Sequence, residues 1–555
     1  MAQPSIPKGS STRNSMNIVL IYPFFSIERV HVENIEAPPI GLHYLGAILK
    51  EQGHAVKLLN WHDVKDKPHV IEEALGSLKP DLIGFSIFHA NRWGGIQLAR
   101  MFKEHFPDVP IVFGGIGATF LDDHLLRYFH WIDIIVRGEA DITFPALVRR
   151  IEAQSSYSDL PGLTFRSGDL IQRNPEAERI EDLDALPLPA AHYTFHHLAL
   201  SRGCPGKCTF CGSPWFWGPK VRFHSAGYFV RQLEILHQRG QRFFHFSDDM
   251  FTLRKKLVLE ICSLIIEKKL DITWAAISRV DRIDEEMLKA MRMAGCIQIS
   301  FGVESGSEKI RNVLNKKFNE DQIRRAFSLT VSYGILARAY IIYGCPGEST
   351  DTVQDTIRLL NDIQPMVTLF HVLALFPGTY LFELYKSETG ATDDIWLYRE
   401  EDLPFFEVDT NLSAELVSQF GKEIKESLQE SIPTFIRSLE LVDDKELFPF
   451  HASFLSRLAL TIDRGDYPHV LEHAVAQDLA RELYVKALEY APDAQAYWGL
   501  GLLAQDEKDY QQAETILREG MKVFPQDRVL AKTLANTLIN MGREEEALSL
   551  TQKFF

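Results

Sequence analysis

Short apolar runs recur at a nearly regular interval through the first two thirds of the chain, and this spacing restricts the fold more than any other feature. The first series comprises NIVLIY (17–22), AVKLLN (55–60), LIGFS (82–86), IVFGG (111–115) and IDIIV (132–136). Runs about 20 to 25 residues apart suit strands that are buried on both faces and joined by crossover helices. Residues 16–153 are therefore predicted to form a flavodoxin-like, doubly wound parallel sheet.

The loops after these runs are the candidate ligand-binding segments, because ligands of such a sheet lie beyond the carboxyl ends of its strands. The candidate residues in these loops are Pro39, Ser86, Gly114, Gly115, Thr119, Gly138 and Glu139. Glycines allow the backbone to lie close against a flat ligand. They are equally typical of ordinary strand-end turns, so both interpretations stay open here.

A second series of runs predicts a second α/β domain over residues 194–400. Its runs are LALS (198–201), FFHFSDD (243–249), ITWAAIS (272–278), IQISFGV (297–303), RAYIIYG (338–344) and LFHVLAL (369–375). Six βα units predict a partial (β/α)6 barrel with its chemistry at the carboxyl ends of the strands. Residues 154–193 are predicted to be a linker that contains a small hairpin around Ser167-Gly168-Asp169.

The chain as a whole is predicted to be an α/β multidomain protein with an all-α region at its C-terminal end. Residues 1–15 are polar and predicted to be a disordered leader, and residues 401–475 are predicted to be a helical connector. Residues 476–555 fit the 34-residue tetratricopeptide pattern, with Leu500-Gly501, Ala513, Gly520 and Pro525 at its positions. Such helices first of all pack on one another, and a groove for a protein partner is the second interpretation.

Composition excludes some classes of function. The net charge of −16 repels a phosphate backbone, so a nucleic-acid substrate is not expected. No stretch reaches the roughly 18 to 20 apolar residues that a membrane span needs, and residues 1–15 lack a secretory apolar region. A cytoplasmic location is therefore expected.

Three of the six cysteines fall within one short segment, as Cys204, Cys208 and Cys211. The spacing CxxxCxxC lets one loop place three thiolates around an iron-sulfur cubane, and the cubane's fourth iron then stays open to another ligand. A zinc site needs four ligands, and only His224 stands nearby as a fourth. Gly203, Pro205 and Gly206 indicate a loop rather than a core, which disfavours inert buried thiols.

This motif, with Phe210 before its third cysteine, resembles the signature of the radical S-adenosylmethionine (SAM) superfamily. Residues 246–251, 302–307, 344–348 and 376–379 resemble its later strand-end motifs, in the expected order. The resemblance implies a 4Fe-4S cluster on Cys204, Cys208 and Cys211 whose open iron binds SAM, and reductive cleavage of SAM to a 5′-deoxyadenosyl radical. It further implies cofactor contacts from Phe210, Asp248, Arg279, Glu304, Ser305 and Arg338. Surface ion pairs are the ordinary alternative for Glu304 and the two arginines.

The front domain is similar to the cobalamin-binding domain of one subgroup of this superfamily. The segments PPIGLHYLGAILKEQGH, DLIGFS, VFGGIGAT and IIVRGEADITFP carry the resemblance. It implies that the seven loop residues named above face a corrin. The DxHxxG motif, which gives other cobalamin proteins a histidine ligand, is missing, because His31, His43 and His124 lack its context. A relic domain without the cofactor is the alternative.

The resemblance implies an anaerobic enzyme that methylates an unactivated carbon of a small molecule or peptide. A radical cyclisation, oxidation or rearrangement uses the same parts, and a repeat-scaffolded module acting on a carried peptide or partner protein is a third hypothesis. An electron donor such as flavodoxin or ferredoxin is implied. Trp215, Phe216 and Trp217 either line the substrate pocket or pack between the domains, and Cys345 is more simply a filler than a reactive thiol.

We predict that the protein purified without oxygen is brown and binds about four irons, because only Cys204, Cys208 and Cys211 have cluster spacing. Replacing all three by alanine should remove the iron, as measured by metal analysis. The matched control replaces Cys262, Cys296 and Cys345 and should keep it. Full iron content in the first variant would contradict the assignment.

Overall fold

The structure is a computed structural model that describes residues 15–26, 38–465 and 471–554. The predicted leader, apart from Ser15, and His31 lie outside the described residues. The described chain is mixed α/β, with two parallel sheets followed by a helical region.

The first sheet has seven strands in the order β2-β1-β3-β4-β5-β6-β7. The strands are β1 Asn17–Tyr22, β2 Ala55–Asn60, β3 Leu82–Ser86, β4 Ile111–Gly114, β5 Ile134–Val136, β6 Leu163–Ser167 and β7 Leu170–Arg173. The first five are parallel and have the 2-1-3-4-5 order of a flavodoxin-like sheet. All five predicted runs of the first series therefore overlap its strands.

The alternation of β1 shows why this sheet carries helices on both faces. Ile18 and Leu20 pack into one apolar core, while Val19 and Ile21 pack into another on the opposite face. The covering helices are Ile40–Glu51, Pro68–Ser77, Arg92–His105, Ile116–Phe120, Asp122–Tyr128 and Ala140–Glu152.

The hairpin predicted around Ser167-Gly168-Asp169 is present, but it belongs to the first sheet rather than to a separate linker. Its strands, β6 and β7, continue the first sheet, because β6 pairs antiparallel with β5 from Val136↔Leu163 to Ile134↔Phe165. Leu163 and Phe165 are buried in the sheet's core. The hairpin is therefore part of the front domain, and the other predicted domain boundaries stay predictions.

The second sheet has six parallel strands, each beside its predecessor in the chain. They are His197–Leu198, Phe243–Phe246, Thr273–Ser278, Cys296–Glu304, Leu336–Tyr343 and Val367–Val372. Within the described residues its first and last strands do not pair, so the barrel is open. Its helices include Ala226–Gln238, Lys255–Glu267, Glu285–Met293, Glu308–Val313, Glu320–Ser332, Thr350–Ile363 and Tyr380–Thr389.

One apolar core extends across the boundary between the two sheets. Leu125 and Leu126 of the front domain share it with Ile310, Leu375 and Trp396 of the second domain, and all are buried. Burial of this apolar surface stabilises the contact between the domains through the hydrophobic effect, which has no preferred direction.

From Ala414 onward, the regular secondary structure of the described residues is helical. The helices are Ala414–Arg437, Phe448–Arg464, His473–Tyr490, Ala494–Asp506, Tyr510–Val523, Arg528–Asn540 and Glu544–Phe554. Asp493, Asp509 and Asp527 each accept a backbone hydrogen bond from the first turn that follows, which explains where three helices begin. Assignment to the tetratricopeptide class stays a prediction. No helix among the described residues combines the length and apolarity needed to cross a bilayer.

We predict that Gly499→Ala destabilises the C-terminal helices, because a Cβ there would stand 2.1 Å from the ring of the fully buried Tyr484. Overpacking of this kind costs about 1 to 3 kcal/mol. The measurement is the midpoint of urea unfolding. Gly76→Ala is the control, since nothing lies within 4 Å of its Cβ position, and an equal loss in both variants would contradict the packing argument.

Candidate functional site

A cavity of about 380 Å³ lies between the carboxyl edge of the first sheet and the cysteine loop. Six of the seven predicted front-domain residues line it, namely Pro39, Ser86, Gly114, Gly115, Gly138 and Glu139. From the second domain it is lined by Ser201, Arg202, Gly203, Ser213, Ser247 and Asp249, among others. Two segments far apart in sequence therefore form one cavity.

Thr119, the seventh predicted residue, joins two of these loops instead of lining the cavity. Its Oγ1 donates to the Gly115 carbonyl at 2.8 Å and accepts from the Gly138 amide at 3.0 Å. The bond fixes the ends of β4 and β5 relative to each other. Thr119 lines a smaller neighbouring cavity of about 110 Å³.

The floor of the main cavity fits a flat macrocycle. Nothing lies within 4 Å of a Cβ position on Gly138, which has φ +68°, and only one atom, at 3.6 Å, lies that close to Gly114. Backbone is thus accessible from the cavity, while Ile87, Phe88 and Ile116 supply apolar surface beside it. A corrin ring, with apolar faces and an amide-bearing rim, suits this combination.

The histidine in the cavity wall is held by the protein itself. His224 Nδ1 donates to Asp184 Oδ1 at 3.0 Å, so its Nε2 accepts from the Tyr44 hydroxyl at 2.9 Å. Burial lowers the pKa of His224 to about 4. His43 stacks on Phe195 with ring centroids 4.7 Å apart and does not line the cavity. Among the described residues of the cavity wall, the histidine is His224, and both of its ring nitrogens are hydrogen-bonded within the protein.

Asp248 fixes the chain where it enters the cysteine loop. Its carboxylate accepts from the Leu200 amide at 3.0 Å and from the Ser201 amide at 2.7 Å. Burial raises its pKa to about 6, although these bonds act in the opposite direction. The oxygens are occupied by backbone, and the neighbouring Asp249 lines the cavity instead. Sequence reasoning missed Asp249, because two adjacent aspartates give no sign of which one faces inward.

Gly206 brings the first two cysteines of the loop together. A Cβ on Gly206 would lie 3.3 Å from Cys204 Sγ and 3.8 Å from Cys208 Sγ. Its amide donates to Cys204 Sγ at 3.4 Å. Burial raises the pKa of Cys204 and raises that of Cys211 to about 12, so metal binding would have to displace their protons.

The cysteines do not form a site for a single metal ion. Among the described residues, no group of three or more His, Cys, Asp or Glu side chains is close enough to hold one ion. A cubane binds each thiolate through a different iron, so its ligands stand further apart than those of one zinc ion. The cluster prediction rests on the CxxxCxxC spacing of the three cysteines.

A buried ion pair accompanies the cysteines. Glu304 Oε1 lies 2.7 Å from Lys316 Nζ, and both side chains are less than 10% exposed. Burial acts to lower the pKa of Lys316, but the carboxylate of Glu304 and the nearby Cys208 outweigh it and leave the pKa raised. Lys316 was missed by sequence reasoning, because a lysine in the segment NKKF carries no motif.

Gly302 makes room for this pair. A Cβ on Gly302 would stand 2.5 Å from Glu304 Oε1 and 3.0 Å from Lys316 Nζ. Glu304 itself has φ +66°, in the left-handed region that a non-glycine residue rarely adopts. The strained backbone turns the carboxylate toward the lysine.

The other predicted SAM contacts are spread more widely than expected. Arg279 forms a two-bond ion pair with Asp281 at 2.9 and 3.1 Å. Ser305 Oγ lies 3.2 Å from Thr356 Oγ1 and faces the helix Thr350–Ile363. Arg338 pairs in register with Ser300, four residues before Glu304, so it lies below the strand end. Phe210 lies beside Lys316, with Nζ 5.8 Å from its ring centroid. Their roles toward a cofactor stay predictions.

The domain interface contains a buried network of two arginines and two carboxylates. Arg222 forms a two-bond ion pair with Glu139, and both side chains are 2% exposed. Arg202 pairs with Asp141 at 2.7 and 3.1 Å. Glu139 also lines the main cavity, so its predicted contact with the corrin stays a prediction, while its ion pair with Arg222 joins the two domains.

The aromatic residues after the cluster loop have different surroundings. Phe216 and Trp217 line the main cavity, and Trp217 lies under the Arg202 guanidinium at 5.7 Å. Trp215 is 61% exposed at the smaller cavity. Cys345 is fully buried, with its pKa raised well above the usual value by burial, which suits a filler.

The two segments that line the main cavity each match a known protein family. Residues 198–360 match the Radical SAM superfamily, and residues 31–148 match the B12 binding domain. An uncharacterised methyltransferase of Pyrococcus horikoshii is 30% identical over 380 residues, covering 66% of this chain and 83% of the relative. The anaerobic magnesium-protoporphyrin IX monomethyl ester cyclase of Rubrivivax gelatinosus is 27% identical over 388 residues, covering 66% and 70%.

A solved structure shares the fold of most of the chain. The radical S-adenosylmethionine methyltransferase TsrM from Kitasatospora setae, with cobalamin and a [4Fe-4S] cluster bound, superposes with a TM-score of 0.62. The match covers 85% of this chain and 100% of that one at 16% identity.

We predict that Glu139→Gln weakens the domain interface, because it leaves the Arg222 guanidinium buried without its counter-charge. Breaking a buried pair costs about 3 to 5 kcal/mol. The measurement is the midpoint of thermal unfolding. Glu181→Gln is the control, since it removes a carboxylate from an exposed pair with Lys220 and should change little. Equal midpoints for the wild-type protein and Glu139→Gln would contradict the assigned role of the pair.

Proposed function

The chain belongs to the radical SAM superfamily and carries a B12 binding domain, and we propose that it is a cobalamin-dependent methyltransferase acting on an unactivated carbon. The observation that carries the proposal is the shared cavity. Glycines at the strand ends of the front sheet and residues beside the cysteine loop line the same space. Two cofactors bound on these walls would therefore act on one substrate.

The two cofactors would supply the chemistry, and residues of this chain would hold them in position. When bound, the cluster supplies an electron that cleaves SAM, and the corrin supplies methyl transfer. Cys204, Cys208 and Cys211 would hold the cluster, and Asp248 orders the backbone that leads into their loop. Gly114 and Gly138 would leave backbone open to the corrin, whereas Gly115 allows the close approach of the Ile87 backbone, 2.7 Å from its Cβ position. Arg279 brings positive charge toward Cys204, which opposes the effect of burial on the pKa of that thiol.

We propose that the substrate's reacting carbon lies in a crevice of about 230 Å³ beside the main cavity. Its walls include Phe25 and Phe88 from the front domain, and Phe210 and Phe376 from the barrel. No lysine, arginine or carboxylate is among the described residues of its wall. Apolar walls exclude water, which protects a carbon radical from side reactions. An uncharged carbon skeleton suits this crevice.

Radical cyclisation is a second candidate function, and a specific observation favours it. The Rubrivivax relative, which is 27% identical, is named as a cyclase. Cyclisation, oxidation or rearrangement would use the same cavity without passing a methyl group to the substrate. The same cavity suits both reactions, because both begin with removal of hydrogen from a substrate carbon.

Partners of the enzyme are also proposals. Reductive cleavage requires an electron, so we propose a flavodoxin or ferredoxin as donor. Val529, Ile539 and Leu548 on the C-terminal helices are each more than half exposed, which is compatible with a protein partner or a carried peptide substrate. The small-molecule hypothesis is preferred, because aromatic rings from both domains line the crevice.

We predict that turnover consumes two molecules of SAM for each methylation. One gives up its methyl group and leaves S-adenosylhomocysteine, and the other gives 5′-deoxyadenosine and methionine. Both nucleoside products should appear in comparable amounts with the true substrate, and label in the S-methyl group should pass to the product. Chromatography and mass spectrometry measure all three quantities.

The variant with Cys204, Cys208 and Cys211 replaced by alanine serves as the control and should form no 5′-deoxyadenosine. If the wild-type enzyme forms 5′-deoxyadenosine without S-adenosylhomocysteine or label transfer, methylation is wrong and cyclisation or rearrangement takes its place.

A further inference from the structure

A second large cavity, of about 430 Å³, lies at the opposite end of the barrel from the cysteine loop. Leu336 and Val367, the first residues of the fifth and sixth barrel strands, form one wall. Phe454 and Leu458, on the helix Phe448–Arg464, form the other. The chemistry of a (β/α) barrel lies at the carboxyl ends of its strands, so this cavity is separate from the proposed active site.

Arg292 places a buried guanidinium in the wall of this cavity. The residue is 3% exposed. Its Nη1 donates to the Cys296 carbonyl at 3.0 Å and its Nη2 to the Phe450 carbonyl at 2.6 Å, but its Nε has no hydrogen-bond partner in the described chain. Burial lowers the pKa of Arg292 to about 10, which leaves it charged at neutral pH. A buried donor without an acceptor costs free energy.

The unsatisfied Nε lies beside Gly334, a residue of the cavity wall. It is 3.6 Å from the point where a Cβ on Gly334 would stand, and Phe454 Cβ is 3.6 Å from the same point. Gly334 and Phe454 both line the cavity. His451 Nδ1 is 2.9 Å from that point, but burial lowers the pKa of His451, so it stays neutral and brings no competing charge.

A second cation faces the same space. Arg457 lines the cavity and opposes the charge of Arg292, which is one cause of the lowered pKa there. No aspartate or glutamate is among the described residues of the lining. Two like charges at a partly enclosed apolar cavity repel each other, and an anion between them would relieve the repulsion.

The rest of the lining limits the shape of that anion. Gln298, Thr461 and Gln495 add polar groups, while Ile297, Leu336, Met366, Val367, Phe454 and Leu458 are apolar. Ligand pockets typically have volumes of about 300 to 1,000 Å³ and a few placed polar groups in an apolar wall. A bare inorganic ion would leave most of this wall in contact with water.

We propose that this cavity binds an anionic amphiphile, a molecule with a carboxylate head between Arg292 and Arg457 and a compact apolar body against Phe454 and Leu458. Ligands of this class would link the barrel base to the C-terminal helices and stabilise both. The site does not depend on the proposed methyl transfer, because none of its residues lines the main cavity.

The test uses the full-length protein with sodium octanoate as the probe, and with octanol and inorganic phosphate as comparisons. Calorimetric titration should show one octanoate site, and the thermal midpoint should rise with octanoate. Arg457→Gln should weaken octanoate affinity at least fivefold. This variant suits the test because Arg457 is exposed and Arg292 keeps both of its bonds to backbone carbonyls.

Arg325→Gln is the matched control, since it removes the same charge from an exposed position outside the cavity and should leave octanoate affinity unchanged. Octanol should bind at least tenfold more weakly than octanoate. The proposal is overturned if wild-type protein binds no octanoate, if Arg457→Gln binds it as tightly, or if octanol or phosphate binds as well as octanoate. None of these outcomes depends on iron content or on SAM cleavage, so failure here is distinguishable from failure of the proposed function.

Discussion

Two buried arginines from the barrel hold two carboxylates of the front domain, and the candidate active site depends on this contact. Arg222 meets Glu139 and Arg202 meets Asp141, with every one of the four side chains at most 10% exposed. Removing a charged side chain from water costs several kcal/mol. The interface is therefore stable only when each arginine forms an ion pair with its carboxylate. That requirement defines one relative position of the domains, in which the glycine loops lie opposite the cysteine loop.

Apolar burial and the ion pairs contribute differently to this interface. The shared core of Leu125, Ile310, Leu375 and Trp396 supplies attraction, which is roughly proportional to the area buried and does not prefer one register strongly. The ion pairs supply direction, because a guanidinium and a carboxylate match in few orientations. Arg202 also lies over the rings of Tyr44 and Trp217, so the charged contact is continuous with the aromatic wall of the cavity.

The barrel has a different requirement at each end. At the carboxyl ends of the strands, Asp248 uses its oxygens to order the chain before Cys204, and Lys316 neutralises Glu304 beside the loop. At the other end, Arg292 donates to the Cys296 carbonyl of the barrel and to the Phe450 carbonyl of the helix Phe448–Arg464, and so connects the two. The charges in both places are buried, and each of them is met by a group from another element of the fold.

The sequence by itself determined the elements and the cysteine loop. Five front runs and six barrel runs overlap strands, because a short apolar run bounded by turn residues can be recognised from neighbouring residues alone. The three cysteines lie within eight residues, so their spacing in the sequence is enough to predict cluster binding. Glu139 and Arg222, by contrast, are 83 residues apart, and Asp248 binds amides 47 and 48 residues away. Only the tertiary structure decided that Glu139 holds the domains together, that Asp249 rather than Asp248 lines the cavity, and that Lys316 pairs with Glu304. The physical reason is that the partner of a buried charge depends on which segments are adjacent in the folded chain, and sequence spacing does not contain that information.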